Sequence, residues 1–263
     1  MMTRKSAVAS GSVWFEHLST DNAPLLRLFC LPYAGGTADL YRGWQRWFPE
    51  QIDLCLVHLP GRGRRFRERP FTRVTSVVNA IANHLPPLTG VPYALYGHSM
   101  GAIISFELSR ELFRRGVGPR RLFVSGNRAP QFPTAEPITY NLPHDGFIAE
   151  LKRLNGTPQE VLDSPEMMEL FMDVLRADFE LVQTYEYGPG EPLACPLTVY
   201  GALNDQRVPV ESCFAWQDQT SAECTVRIFQ GDHFFVRDPS PEFTSAFRND
   251  VLSAAASSPA KAI

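Results

Sequence analysis

A hydroxyl, an imidazole and a carboxylate stand in this chain where together they could make a nucleophile. Ser99 lies in Gly97-His98-Ser99-Met100-Gly101, between the short apolar run Tyr93-Ala94-Leu95-Tyr96 and the helically spaced stretch Ala102 to Phe113. Strand, sharp turn and helix force such a serine into a strained conformation that lifts its side chain clear of a sheet. The flanking glycines let strand and helix pass close to each other. A serine hydroxyl is a poor nucleophile at neutral pH, so it needs an imidazole to take its proton and a carboxylate to fix the imidazole's tautomer. His233 follows the apolar run Thr225 to Gln230, and Asp205 follows Pro196 to Gly201. In an open parallel sheet the strand C-termini share one edge, and groups placed just after them converge. The chemistry such a trio supports is acyl transfer through a serine-bound intermediate, and its order along the chain is Ser, Asp, His.

Other residues compete less well for these roles. His98 belongs to the elbow, but its side chain points away from that of Ser99 and is structural. His58 ends a strand, yet the turn after it carries the glycines and arginines of a loop; His17, His84 and His144 lack strand-end positions. Asp232 is adjacent to His233, and neighbours on an extended segment point to opposite sides. Asp163 and Asp178 fall in an inserted segment. Acyl transfer also needs two donors for the negative oxygen that develops on the carbonyl. One is expected to be the Met100 N–H at the start of the elbow helix. The second is expected from Tyr33-Ala34-Gly35-Gly36, the small turn after the first clear strand.

The elements that must carry these groups alternate along the chain. Apolar runs at Leu25 to Leu31, Leu54 to Leu59, Tyr93 to Tyr96, Arg121 to Ser125, Pro196 to Gly201 and Thr225 to Gln230 are separated by helical patterns. Those helices are marked by Leu40 to Phe48, Val74 to Leu85, Ala102 to Phe113, Val208 to Trp216 and Phe243 to Val251. The fold class expected is α/β, a mostly parallel sheet with helices on both faces. About seventy residues separate Ser125 from Pro196. Bare loop of that length is uncommon, and two amphipathic patterns fill it, one with Phe147, Leu151 and Leu154 and one running from Glu166 to Phe179. The second is apolar on more than one face, which suits core packing alone or the lining of a channel for an apolar substrate. The expected organisation is a core over 13–129 and 188–253, a helical insertion over 130–187, and disordered tails at 1–12 and 254–263.

Composition narrows the setting. With 263 residues, 44% of them hydrophobic, and a net charge of -3, the chain suits a globular protein with no general attraction to nucleic acid. No apolar run reaches the roughly 18 residues of a membrane span, and the N-terminal stretch is too short and polar for a signal peptide. The five cysteines contain no Cys-x-x-Cys pair, which points to reduced thiols in a cytoplasm and to no metal site. Arg62, Arg64, Arg65, Arg67 and Arg69 crowd one turn; they make either a solvated loop or a docking patch for an acidic or phosphate-bearing partner.

Several segments together resemble the stand-alone type II thioesterases of polyketide and nonribosomal peptide pathways, members of the α/β-hydrolase fold. They are Leu31 to Gly36, Leu59-Pro60-Gly61-Arg62, Gly97 to Gly101, Ser125 to Pro130, Arg176-Ala177-Asp178 and Gly231 to Phe235, spread from about Val13 to Val251. Carried over by position, the resemblance implies Ser99, Asp205 and His233 as catalytic triad and the N–H groups of Ala34 and Met100 as oxyanion hole. It implies no cofactor, a substrate class of acyl groups thioester-linked to the phosphopantetheine arm of a carrier protein, a lid role for the insertion, removal of stalled or wrong acyl units, and a monomer. Asp232 departs from the glycine common before the histidine and sets a charge near the base. A general carboxylesterase with the same triad, and a non-catalytic binding protein on the same scaffold, are the other readings compatible with these residues.

Overall fold

Strands buried on both faces read as near-continuous apolar runs, and Leu-Arg-Leu-Phe-Cys-Leu and Ile-Asp-Leu-Cys-Leu-Val are two of them. The computed structural model describes residues 12–19, 21, 23–85, 91–132 and 137–256. Its sheet has seven strands: β1 (Phe15–His17), β2 (Leu26–Leu31), β3 (Ile52–Val57), β4 (Tyr93–His98), β5 (Arg121–Ser125), β6 (Leu197–Ala202) and β7 (Cys224–Phe229). The spatial order is β1-β3-β2-β4-β5-β6-β7. Only β1 runs antiparallel to its neighbour, with Phe15 opposite Val57. The mostly parallel α/β sheet expected from the sequence is therefore present.

Alternation along β2 divides the core into two layers. Phe29 and Leu31 face α1 (Val74–His84) and α2 (Met100–Arg114); Leu28 and Cys30 face the segment Ala38–Trp47 and α7 (Pro241–Ala256). The segment at 38–47 winds as a 3-10 helix rather than the expected α-helix. Tyr41, Trp44 and Trp47 recur every three residues, the 3-10 period; Tyr41 meets Trp44 edge-on with centroids 4.9 Å apart, and Trp44 stacks on Trp47 at 4.5 Å. At the other end, α7 continues to Ala256 because Ala254 is buried in the second layer, so 254–256 are helix and not tail. The expected tails otherwise fall on 1–11 and 257–263, outside the described residues.

Among the described residues three helices lie between β5 and β6: α3 (His144–Leu154), α4 (Gln159–Leu162) and α5 (Pro165–Gln183). The Ser164 side chain accepts the Met167 N–H and Pro165 opens the first turn, which is why α5 begins there. Phe147, Leu151, Met168 and Leu175 form a small apolar cluster of their own. Between β6 and β7 the chain makes only the short α6 (Val210–Phe214) and a 3-10 turn at Ala215–Gln219. No helix among the described residues is long and apolar enough to cross a membrane.

Candidate active site

The elbow at the end of β4 shows why its sequence needs glycines. Ser99 has φ 54° and ψ -115°, a backbone conformation that L-residues adopt only under constraint. A Cβ on Gly97 would lie 1.9 Å from the Gly101 carbonyl oxygen, and one on Gly101 would lie 2.4 Å from that of Leu31. Strand, helix and the end of β2 therefore meet backbone to backbone. The turn is pinned by the Ser99 N–H donating to the Ser125 carbonyl at 2.8 Å and by the Asn127 side chain donating to the Ser99 carbonyl at 3.0 Å.

His233 and Asp205 arrive from the ends of β7 and β6. A carboxylate can only accept, so Nδ1–H of His233 donates to Asp205 Oδ2 at 2.8 Å. This leaves Nε2 to accept from the Ser99 hydroxyl at 3.2 Å. The other Asp205 oxygen accepts the N–H groups of Arg207 and Val208 at 2.9 and 3.1 Å. Burial alone pushes the Asp205 carboxyl up, but the bond to His233, its nearby charge and these two N–H groups outweigh it and hold the group below the ordinary carboxylate range. The loops carrying acid and base are also joined by backbone: Asn204 N–H donates to the Gly231 carbonyl at 3.0 Å, and Leu203 N–H to that of Phe229 at 2.9 Å. The structure thus brings together the three side chains that the sequence places after three separate strands.

The competing residues have other partners. His98 is fully buried, its ring hydrogen-bonded to the Ser125 hydroxyl at 2.9 Å; burial, then the neighbouring His233, hold it neutral far below the usual imidazole range. His58 faces Glu16 Oε2 at 3.0 Å. Asp232 is exposed and accepts the Phe234 N–H at 2.8 Å, turned away from the base. The arginine run divides: Arg64, Arg67 and Arg69 are exposed as a solvated loop requires, but two of the five turn inward and break any continuous patch. Arg62 and Arg65 are buried: Arg62 pairs with Asp178, while Arg65 pairs with Glu68 and lies 3.8 Å from the centre of the Trp14 ring. Arg64 donates to the Val13 carbonyl at 3.3 Å, and only Arg67 and Arg69 are exposed with nothing more specific to hold them. Reading charge without distant partners missed the Arg62 pairing, since Arg62 and Asp178 are 116 residues apart.

Ser99 opens onto two cavities. One is apolar, lined by Ala34, Leu151, Leu154, Leu175, Phe179 and Phe234, and α3, α5 and the turn at Gly156 between α3 and α4 supply most of it. The wider one runs past Asn127, Pro130, Phe132, Tyr185 and Arg207 to solvent. Helix α5 thus both packs, through Leu175, and lines a cavity, through Leu175, Phe179 and Val182. The N–H groups of Ala34 and Met100 make no hydrogen bond among the described residues. No group of His, Cys, Asp and Glu among the described residues is placed to hold a metal, and all five cysteines are free thiols.

Comparisons with known proteins identify the family. The thioesterase domain family model matches residues 26–250. The gramicidin S biosynthesis protein GrsT of Aneurinibacillus migulanus is 44% identical over 230 residues, spanning 87% of this chain and 90% of its own. Among solved structures, the type II thioesterase BorB from the borrelidin biosynthetic cluster superposes with TM-score 0.83 at 29% identity, covering 94% of this chain and 99% of that one. The RedJ thioesterase from the prodiginine pathway of Streptomyces coelicolor gives 0.77 at 34% identity over 88% and 86%. The chain belongs to the thioesterase family, with the α/β-hydrolase architecture and the kinship to type II thioesterases that its sequence motifs imply. It is a serine thioester hydrolase of the kind found in nonribosomal peptide and polyketide biosynthesis.

Proposed function

We propose that Ser99, His233 and Asp205 hydrolyse acyl groups from the phosphopantetheine arm of a carrier protein, in two steps. His233 Nε2 takes the Ser99 proton as Oγ attacks the thioester carbonyl; the carrier thiol leaves with that proton, and an acyl-serine remains. Water, deprotonated by the same imidazole, then attacks the ester, and the acid departs as Ser99 regains its hydrogen. Asp205 keeps the imidazole in the tautomer that accepts at Nε2 and stabilises the imidazolium that forms. The Met100 and Ala34 N–H groups receive the oxyanion in both steps.

The observation that carries this reading is the unbroken chain from Asp205 through His233 to Ser99, opening onto an apolar cavity on one side and an open passage on the other. The apolar cavity takes the acyl group, the passage takes the arm, and residues 130–187 act as the lid above them. The kinship with GrsT and BorB supports an editing role, clearing stalled or aberrant units, and the resemblance that implies this role also implies a monomer; the free thiols suit a reducing cytoplasm. Mixing the protein with an acyl-loaded carrier and weighing it intact should show an acyl adduct that is absent from Ser99→Ala. Turnover persisting in Ser99→Ala would overturn the assignment, and faster cleavage of a matched oxygen ester than of the thioester would favour a general carboxylesterase.

A further inference from the structure

Asp178 takes no part in the triad, yet it is among the most buried carboxylates of the molecule, 1% exposed on α5. Its Oδ2 accepts the Gly35 N–H at 2.7 Å and Arg62 Nη1 at 2.5 Å, while Oδ1 accepts Arg62 Nη2 at 2.7 Å. Arg62 is fixed in turn by donating to the carbonyls of Pro60 at 3.3 Å and Gly36 at 3.4 Å. One helical turn earlier, Leu175 closes on the same glycine: a Cβ on Gly35, whose φ is +74°, would lie 2.6 Å from Leu175 Cδ2. Helix α5 therefore grips Gly35 twice, by its N–H and by its missing side chain.

The peptide planes on either side of Ala34 explain what that grip does. The plane carrying the Ala34 N–H also carries the Tyr33 carbonyl, which accepts the Gly36 N–H at 2.9 Å. The next plane carries the Gly35 N–H, which Asp178 holds. With both planes fixed, the Ala34 N–H has one direction available. Stability does not by itself call for such a pair, because apolar residues of similar volume often serve as well as a buried ion pair. An apolar substitute, however, leaves the Gly35 N–H without an acceptor and frees the second plane to turn.

We propose that Asp178, held by Arg62, is a positioning residue for the hydrolysis: it aims the Ala34 N–H at the developing oxyanion and so makes the inserted helix α5 part of the oxyanion hole. This rests on the reading of Ala34 as an oxyanion donor. The consequence is that the hole is complete only while α5 is seated on the body.

Two double variants separate positioning from packing. Arg62→Met/Asp178→Leu removes both charges and the acceptor for Gly35; Arg62→Gln/Asp178→Asn removes the charges but keeps an oxygen for that N–H. Each is assayed for kcat and KM on an acyl-N-acetylcysteamine thioester, and for affinity toward a trifluoromethyl ketone with the same acyl chain, whose adduct with Ser99 places an oxyanion in the hole. The apolar pair is expected to lose about 100-fold in kcat, the size of a lost oxyanion donor, with KM within about threefold and a matching loss of ketone affinity. The amide pair is expected to stay within about tenfold of the parent. Equal losses in both pairs, an apolar pair with parental kcat, or a kcat loss without loss of ketone affinity would each overturn the proposal. Should the apolar pair not fold, Asp178→Asn alone decides: about tenfold or less in kcat upholds the proposal, and a 100-fold loss with the acceptor still in place overturns it. A parent that hydrolyses the thioester without binding the ketone would instead defeat the oxyanion-hole assignment itself.

Discussion

On the body side of Ser99, every reactive group hangs from the end of a parallel strand; on the other side, the cavity wall is built chiefly from two inserted helices, α3 and α5, which share a small core of their own. The body wall is set by ladders of backbone hydrogen bonds and by strands such as β4 and β6 whose residues are buried throughout. The inserted wall is fastened by side chains. Besides Asp178, Arg237 donates to the Tyr33 hydroxyl at 2.8 Å and to the Gly156 carbonyl, and Arg73 pairs with Glu180 at the surface. Gln183 on α5 accepts the N–H groups of Thr139 and Tyr140. Chemistry is thus placed on the part that backbone geometry fixes, and acyl fit on the part where a single side chain can be exchanged without disturbing the sheet.

The largest test of that division falls on the body wall. Asp205→Asn should keep the fold and lower kcat by about 10⁴-fold, because an amide at that position can donate to Nδ1 and favours the wrong tautomer. A loss below tenfold in steady-state assays would show that another group orients His233. On the inserted wall, Gly156→Val should alter selection more than chemistry. A Cβ there would lie 2.7 Å from the Phe234 ring, and both residues line the apolar cavity. Cleavage of long acyl chains should fall about tenfold in kcat/KM relative to acetyl, the scale of one or two methylenes in an apolar pocket. Equal losses for both chain lengths would mean that this wall does not set length.

The smallest effect is on stability and returns to the body wall. The folded protein keeps His98 neutral, chiefly by burial and then by the adjacent His233, whereas the unfolded chain protonates this residue near pH 6.5. The folded imidazole's affinity for protons is depressed, so its contribution is full above about pH 6.5 and is lost as pH falls below that. The loss is about 1.4 kcal/mol per pH unit, one proton's worth, until the folded form itself titrates. Urea unfolding of His98→Gln between pH 5 and 8 should show an acid-side slope shallower by that amount, and parallel slopes would contradict it.

Ser99, Asp205 and His233 were legible in the sequence because each follows an apolar run that becomes a parallel strand, and strand ends share an edge whatever the loops between them do. Strand β1 was not legible: three residues, Phe15, Glu16 and His17, carry little pattern, and only the antiparallel pairing with β3 makes them a strand. The Arg62–Asp178 pair was hidden for a different reason. Local charge density suggested that the arginines face outward, and the partner that turns Arg62 inward is supplied by a helix more than a hundred residues later. Patterns with a short period are visible in one dimension; a bidentate contact between distant segments has no period at all.

The backbone bonds joining the acid loop to the base loop give the triad one stiff joint and one compliant one. Asp205 and His233 ride on β6 and β7, adjacent strands at the rim of the sheet, and are stitched together at Asn204 and Gly231; the hydroxyl sits on β4, two places inward. Flexing of that rim carries the carboxylate and imidazole as a unit and stretches or shortens only the gap to Ser99 Oγ. The 3.2 Å span is therefore the dial through which motion of the sheet's border reaches the reaction.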